Sequence, residues 1–417
     1  MKRKMTCIET ILIVLLFFFP LQNIAISKEW NDKSPPINET FDKENFLSPF
    51  NYLSDLSEKI NELGFSLYKD FKDNTDNILF SPYSIFESLA FLHSGADEET
   101  AKEISNLMRI QEKEKLLEKP LSVLRQSINR IDRKNFYLIR STHSLQLQKE
   151  EEILSSFYIK NKEHIHKVDD NIQIPESSTE KREDLPKNYK IKKNAHILHH
   201  SSFQYKALWE YVFSKGNTKT STFQLPSLKT IQVEMMEKIA RFKVLEEKHF
   251  SMLELPYAEK EINNERLLLY ILLPRESTLE YLEGSINEKN IKHWISSSSI
   301  KKIKLLMPKF KCEKTYSLRE ILEKRGGKTP FSKKANFSKI NGRKNLRLKD
   351  LIHSSSVSIE EEGSNIEKNK QGKRGHLTVF SSEKFHSFKV NRPFLFFLLD
   401  KHSQIILLIG KIYNPTE

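Results

Sequence analysis

Few residues of this chain have the type and spacing that chemistry requires. Cys312 follows Lys309, Phe310 and Lys311 in a strand-like run, and a thiol placed so reads as packed core rather than as a nucleophile. His353 taken alone reads as a buried histidine satisfied by its neighbours. Ser81 and Ser84 read as ordinary turn serines, and Trp209 as a core indole. The sequence has no metal-ligand spacing, glycine-rich phosphate loop or interleaved aromatic and basic motif. No catalytic group, metal or cofactor is therefore assigned. The remaining handles are for other proteins to act on. They are the basic pair Lys373-Arg374, which suits a processing protease, and the sequons Asn38-Glu39-Thr40 and Asn336-Phe337-Ser338, which suit N-glycosylation.

The elements that must position these residues begin after a three-part leader. Lys2, Arg3 and Lys4 precede an apolar run from Ile11 to Phe19, then Pro20 and the small residues Ala25 and Ser27. That is the pattern of a secretory signal over residues 1–27. The run is about ten residues, roughly half of what crossing a bilayer needs, which favours a cleaved leader over an anchor. A secreted, extracellular protein is expected, with no membrane partner. Removing 1–27 takes away three Lys/Arg and one Glu, so the net charge falls from +13 to about +11. An extracellular cation of this kind meets sulfated glycans more readily than nucleic acid. Cys7 leaves with the leader, so no intramolecular disulfide is available.

Residues 28–55, with Pro35, Pro36 and Pro49, read as an irregular N-terminal extension. Leu56, Ile60, Leu63, Leu67 and Phe71 then recur at three or four, which predicts an amphipathic helix. Asn77 to Pro82 predicts a short strand and turn, Tyr83 to Leu92 a second helix, and 97–131 further helix opened by Asp97, Glu98 and Glu99. From about Phe136 strands take over, including Ile197 to Tyr205, Leu267 to Leu273, Ile303 to Met307 and Phe394 to Leu399. Tyr316 to Lys324 predicts one more helix, stopped by Gly326 and Gly327. The stretch from Asp169 to Asn194 is polar and lacks an apolar stripe. Helices first and many strands afterwards imply an α+β fold whose sheets draw on distant segments.

The segment Phe388-Lys389-Val390-Asn391-Arg392-Pro393-Phe394-Leu395-Phe396-Phe397-Leu398 resembles the signature of the serpin family. Other blocks follow the family's order: Asn77 to Ile85, Gly95-Ala96, Val233 to Met236, Leu253 to Tyr257, Met307 to Phe310, Ala335 to Ile340, His353 and Glu361-Glu362-Gly363. The resemblance spans about 56–417. It implies three β-sheets, about eight or nine helices and an exposed reactive-centre loop over 363–387. In inhibitory members a protease cleaves this loop, which then enters the main sheet as a new strand and distorts the acylated protease. The serpin is a strained substrate there, not an enzyme. Ser81, Ser84 and His353 match the family's shutter cluster, and Trp209 its breach at the top of the sheet.

An inserting loop must place alternate side chains beneath the sheet. The family's phase points Ser364, Ile366, Lys368 and Lys370 inward, and burying an unpaired ammonium costs several kcal/mol. A slip of one residue would point Asn365, Glu367, Asn369 and Gln371 inward instead, which is scarcely better. Ser201 stands where an asparagine is expected eight residues before Trp209, and 169–194 lacks the expected tryptophan. Both departures are expected to weaken the gate. The resemblance thus supports a non-inhibitory extracellular binding protein, with suicide-substrate inhibition of a serine protease as the alternative. The scissile bond falls at Leu377-Thr378, which suits a chymotrypsin-like pocket, or at Lys373-Arg374, which suits a trypsin-like one. Arg125, Arg130, Arg133 and Lys134 fall near a helix that binds heparin in some members, with a solvated surface as the plainer reading. A monomer is expected.

Overall fold

The computed structural model describes residues 49–71, 76–110, 121–122, 124–125, 128, 137–148, 152–161, 165–168, 197–226, 229–258, 267–275, 278–364 and 384–417. The first helix, α1 (Pro49–Phe71), buries the expected stripe of Leu56, Ile60, Leu63, Leu67 and Phe71. It begins seven residues earlier than the apolar period suggests, so 49–55 belong to a helix and not to an irregular extension. The reason is local: Pro49 opens the helix, where its missing N–H has no partner to lose.

Strand β1 (Ile78–Phe80) leads into α2 (Pro82–Gly95). Ser81 caps that helix by accepting a hydrogen bond from the Ser84 N–H at 3.1 Å, and Pro82 stands in its first turn. Almost every residue of α2 is buried, including Ser84, Glu87 and Ser88. A helix buried on all sides lies in the core rather than on the surface. The other helices are α3 (Glu98–Leu107), α4 (Ser155–Asn161), α5 (Leu279–Ser285), α6 (Glu288–Ser297), α7 (Arg319–Lys324) and α8 (Ser338–Asn341). Among the described residues, eight α-helices thus accompany the sheets. The helix expected over Tyr316 to Lys324 starts only at Arg319. Tyr316 and Ser317 are held in strand pairing by His353 and Ile352.

The main sheet has six strands in the order β10 (Phe310–Ser317), β11 (Leu348–Ile359), β12 (Gly363–Ser364), β4 (Ile197–Leu208), β2 (Tyr137–Gln148) and β3 (Ile165–Val168). Along β4, odd positions from His199 to Ala207 are buried and even ones partly exposed, so one face covers the core.

The second sheet runs β1, β15 (Ile405–Ile412), β14 (Phe394–Asp400), β8 (Leu267–Pro274), β7 (Phe250–Pro256), β6 (Thr230–Glu246), β9 (Ser299–Pro308), β13 (His386–Lys389), with β5 (Lys219–Gln224) also paired to β6. Three sheets were expected, and the described strands join into two hydrogen-bonded networks. The cause is β6: its first residues pair with β5, its last with β7, and β9 bridges the middle. Two regions that differ in their neighbours therefore share one continuous strand.

Candidate functional site: the main sheet and the hinge of the loop

Below its top the main sheet is closed. From Leu348 to Ser355, β11 pairs directly and in parallel with Ile197 to Phe203 of β4. Above that level the two strands separate and β12 sits between them, with Ser364 opposite both Ile359 and Ala207, and Gly363 opposite Leu208. Gly363 has no substitute there, because an added Cβ would lie 2.0 Å from the Ala207 carbonyl oxygen. Ser364 is fully buried. Its hydroxyl bonds that of Tyr257 at 2.5 Å, which in turn bonds that of Tyr205 at 3.1 Å.

Trp209 and the two glutamates before the glycine anchor this entry point. The Trp209 indole N–H donates to the Glu360 carbonyl at 2.8 Å, and its backbone N–H donates to Glu362 O at 3.0 Å. The indole stacks on Tyr257, with ring centroids 4.3 Å apart. Glu361 accepts from Thr218 Oγ1 at 2.9 Å and pairs with Lys309 at 3.2 Å. Burial works to raise the Glu361 pKa, but its hydrogen bonds and Lys309 outweigh that and hold it below the usual carboxylate range. Glu362 pairs with the exposed Lys215 at 2.9 Å.

One turn of sheet lower, His353 joins β11 to α2 and β4. Its Nε2 accepts from the Ser81 N–H at 3.0 Å, which places the ring proton on Nδ1, facing Ser201 Oγ at 2.9 Å. Ser355 Oγ also lies 2.9 Å from Nε2. Burial pushes the His353 pKa down to about 3, with His200 and His143 adding repulsion, so the ring is neutral. Ser201, expected to weaken the gate, has its short hydroxyl within reach of the imidazole and completes the ring's hydrogen bonding. The tryptophan-free stretch 169–194 lies outside the described residues.

Ser84 continues the network away from His353, accepting from Ser141 Oγ at 3.1 Å, which lies 3.0 Å from His143 Nε2. His143 meets Glu87 at 3.0 Å, and Arg125 meets the same carboxylate at 2.7 Å. Burial would raise the Glu87 pKa, yet His143 and Arg125 bring it down to about 2. Arg125, expected as a glycan contact, thus pairs with a buried carboxylate. Arg130, Arg133 and Lys134 lie outside the described residues. So do Ile366, Lys368, Lys370, Lys373, Arg374, Leu377, Thr378 and Asn38.

Asn336 is 3% exposed and its side-chain oxygen accepts from Ser338 N at 3.1 Å, which corrects that sequon: the folded chain encloses the amide a glycan would need. Cys312 is buried and its thiol is pushed up to about 12 by burial, as a packed and inert sulfur should be. Asn391 accepts at its carbonyl from Gln224 N at 2.8 Å, and Arg392 donates to Pro274 O at 2.8 Å. Pro393 and Phe394 are buried at the start of β14. This segment ties β13, β5 and β8 together. Tyr205, Tyr257, Ser355, His143 and Glu87 were missed by sequence reasoning. Only the alternation in His353-Ser354-Ser355 carried a signal for one of them.

The site is thus a closed main sheet with a glycine-led strand in its top and a histidine-serine cluster below. Comparison with known proteins agrees with it, since residues 58–415 match the family model for Serpin (serine protease inhibitor). The chain belongs to the serpin family. An uncharacterized serpin-like protein of Thermococcus kodakarensis is 28% identical over 373 residues, covering 86% of this chain and 85% of that protein. Human thyroxine-binding globulin complexed with its ligand superimposes with a TM-score of 0.75 at 23% identity, covering 88% of this chain and all of that one. Uncleaved ovalbumin gives a TM-score of 0.75 at 24% identity, covering 86% of this chain and all of that one. At those identities the two structures establish the serpin fold alone.

Proposed function

We propose that this serpin is a secreted, extracellular binding protein whose loop is cut by proteases as a substrate and does not trap them. The observation that carries the reading is the orientation of Ser364. Its side chain points under the sheet, opposite Ala207 on β4 and Ile359 on β11. A strand alternates faces, so continuing it by that pairing sends 366, 368 and 370 inward as well. Lys368 would arrive between Phe203 and Ser355, and Lys370 between Ser201 and His353, all four of which are buried. Each ammonium would lose its water at a cost of roughly several kcal/mol, and His353 is neutral and already hydrogen-bonded. Insertion would also break the direct pairing of β4 with β11 from Leu348 to Ser355.

A second reading is favoured by a specific observation: the gate is intact. His353 keeps its three partners, Trp209 and Glu361 hold the entry, and two residues are already threaded. A serine protease inhibitor of the family's usual kind needs all of these. Incubation of the secreted chain with a trypsin-like and a chymotrypsin-like protease separates the readings. Cleavage near Lys373-Arg374 or Leu377-Thr378 with no SDS-resistant complex is the expected result. A covalent complex selects the inhibitor.

A further inference from the structure

One lysine of the second sheet leaves its strand on the apolar side. Along β6 and β9 the inward rows are hydrophobic: Met236 stands opposite Met307 and Ala240 opposite Ile303, with both methionines and the isoleucine buried. Lys238 occupies the row between these two, opposite the fully buried Leu305. Directly opposite residues share a face of the sheet, so the Lys238 stem runs along the apolar face. Its ammonium donates to the Val212 carbonyl at 3.0 Å. Glu237, the preceding residue, is turned to Lys304 instead, at 3.0 Å. Burial lowers the Lys238 pKa from the usual lysine value, and no carboxylate among the described residues offsets it. An ammonium that gives up water without gaining a carboxylate is a cost to the fold. Methionine, of similar length, would suit this face better. The lysine is therefore not there to strengthen the core, and what its hydrogen bond connects becomes the question.

Val212 lies in the segment that clamps the hinge. The Trp209 N–H donates to the Glu362 carbonyl at 3.0 Å and the Phe213 N–H to the Glu361 carbonyl at 2.9 Å. In the other direction the row continues from Lys238 through Leu305 to Phe388, since Leu305 stands opposite both. Phe388 is buried and belongs to β13, the first described strand after the reactive loop. One crosswise path thus runs from Phe388 through Leu305, Lys238 and the Val212 carbonyl to Phe213 and Glu361. We infer that Lys238 is a positioning residue that couples the two anchor points of the reactive loop, β13 at its C-terminal end and the hinge at its N-terminal end. Phe388 and Leu305 carry no side-chain donor, so in this row the ammonium makes the one polar link to the clamp. Slack in β13 is then passed to the carbonyls of the hinge. The inference goes beyond the proposed function and does not depend on whether the loop inserts.

The test uses the full secreted chain and follows hydrogen exchange of the Trp209 and Phe213 amides, with the amides of β14 and β15 as the reference for global opening. In Lys238→Met the two clamp amides should exchange roughly tenfold faster while the reference amides and the melting temperature hold or improve. Lys238→Arg keeps a charged donor and should return the clamp amides to wild-type rates. Phe388→Leu, a mild change in β13, should speed the clamp amides a few-fold in the wild-type background and add nothing in Lys238→Met, because the link is already cut. Unchanged clamp amides in Lys238→Met overturn the proposal. So does a lower melting temperature with equal acceleration everywhere, which would make the lysine an ordinary part of the fold. Additive effects of Phe388→Leu and Lys238→Met overturn the coupling, since the two ends of the loop would then be held independently.

Discussion

The top and the middle of the main sheet solve opposite problems with different chemistry. At the top, where β12 has entered, the contacts are hydroxyls and an indole: Ser364, Tyr257, Tyr205 and Trp209. In the middle, where β4 and β11 are still joined, the contacts converge on ionisable groups, with His353, His200, His143 and Glu87 buried or nearly so. The top accepts a small polar side chain at no cost in charge. Among the described residues of the middle the buried carboxylate, Glu87, is already shared by His143 and Arg125, and an added ammonium there would meet the neutral ring of His353. On the proposed reading, beginning insertion and completing it are separate requirements, and the threaded Gly363-Ser364 meets the first.

Acid sharpens the contrast most. Burial lowers His353 to about 3 and His200 to about 4, so between pH 6.5 and those values the unfolded chain binds protons that the folded one does not. Stability should therefore be full above pH 6.5 and fall as pH drops, by about 2 kcal/mol per histidine at pH 5. Below about 4.5 Glu87 adds to the loss, its folded pKa being depressed to about 2. Urea unfolding at pH 7.5 and 5.0 measures the fall, and a flat profile would break the account of the middle. The hydroxyl relay at the top is blind to this range. Its smaller effect is read by Ser364→Ala, which removes one hydrogen bond from Tyr257 while Tyr205 still satisfies it. The expected cost is about 1 kcal/mol in the same assay at either pH.

Much of the fold was legible because burial patterns are local. The stripe in α1, the alternating strands and the Asn391-Arg392-Pro393-Phe394 block each announce themselves within a short window. At the hinge, the phase implied by the family resemblance agrees with the buried side chain of Ser364, whereas a two-residue period alone leaves open which set faces inward. What lay beyond reach depends on partners far apart in sequence. Ser201 looked like a loss because the hydroxyl's reach to His353 exists only once β4 and β11 pair. The pairing of Arg125 was hidden because Glu87 gives no sign, in an apolar helix, of being a buried carboxylate that needs a cation. Asn336 looked like a sequon because three residues cannot show that α3 and α8 enclose it.

The most direct test of the central claim is to nick the reactive loop with a protease and compare melting temperatures of the intact and cleaved chains, alongside the variant Lys368→Ala, Lys370→Ala. Cleaved wild type should melt within a few degrees of the intact protein, while the cleaved variant, freed of both ammonium groups, should melt far higher than its intact form. A large rise for cleaved wild type would contradict the account, because residues 368 and 370 would then have entered the sheet with their charges.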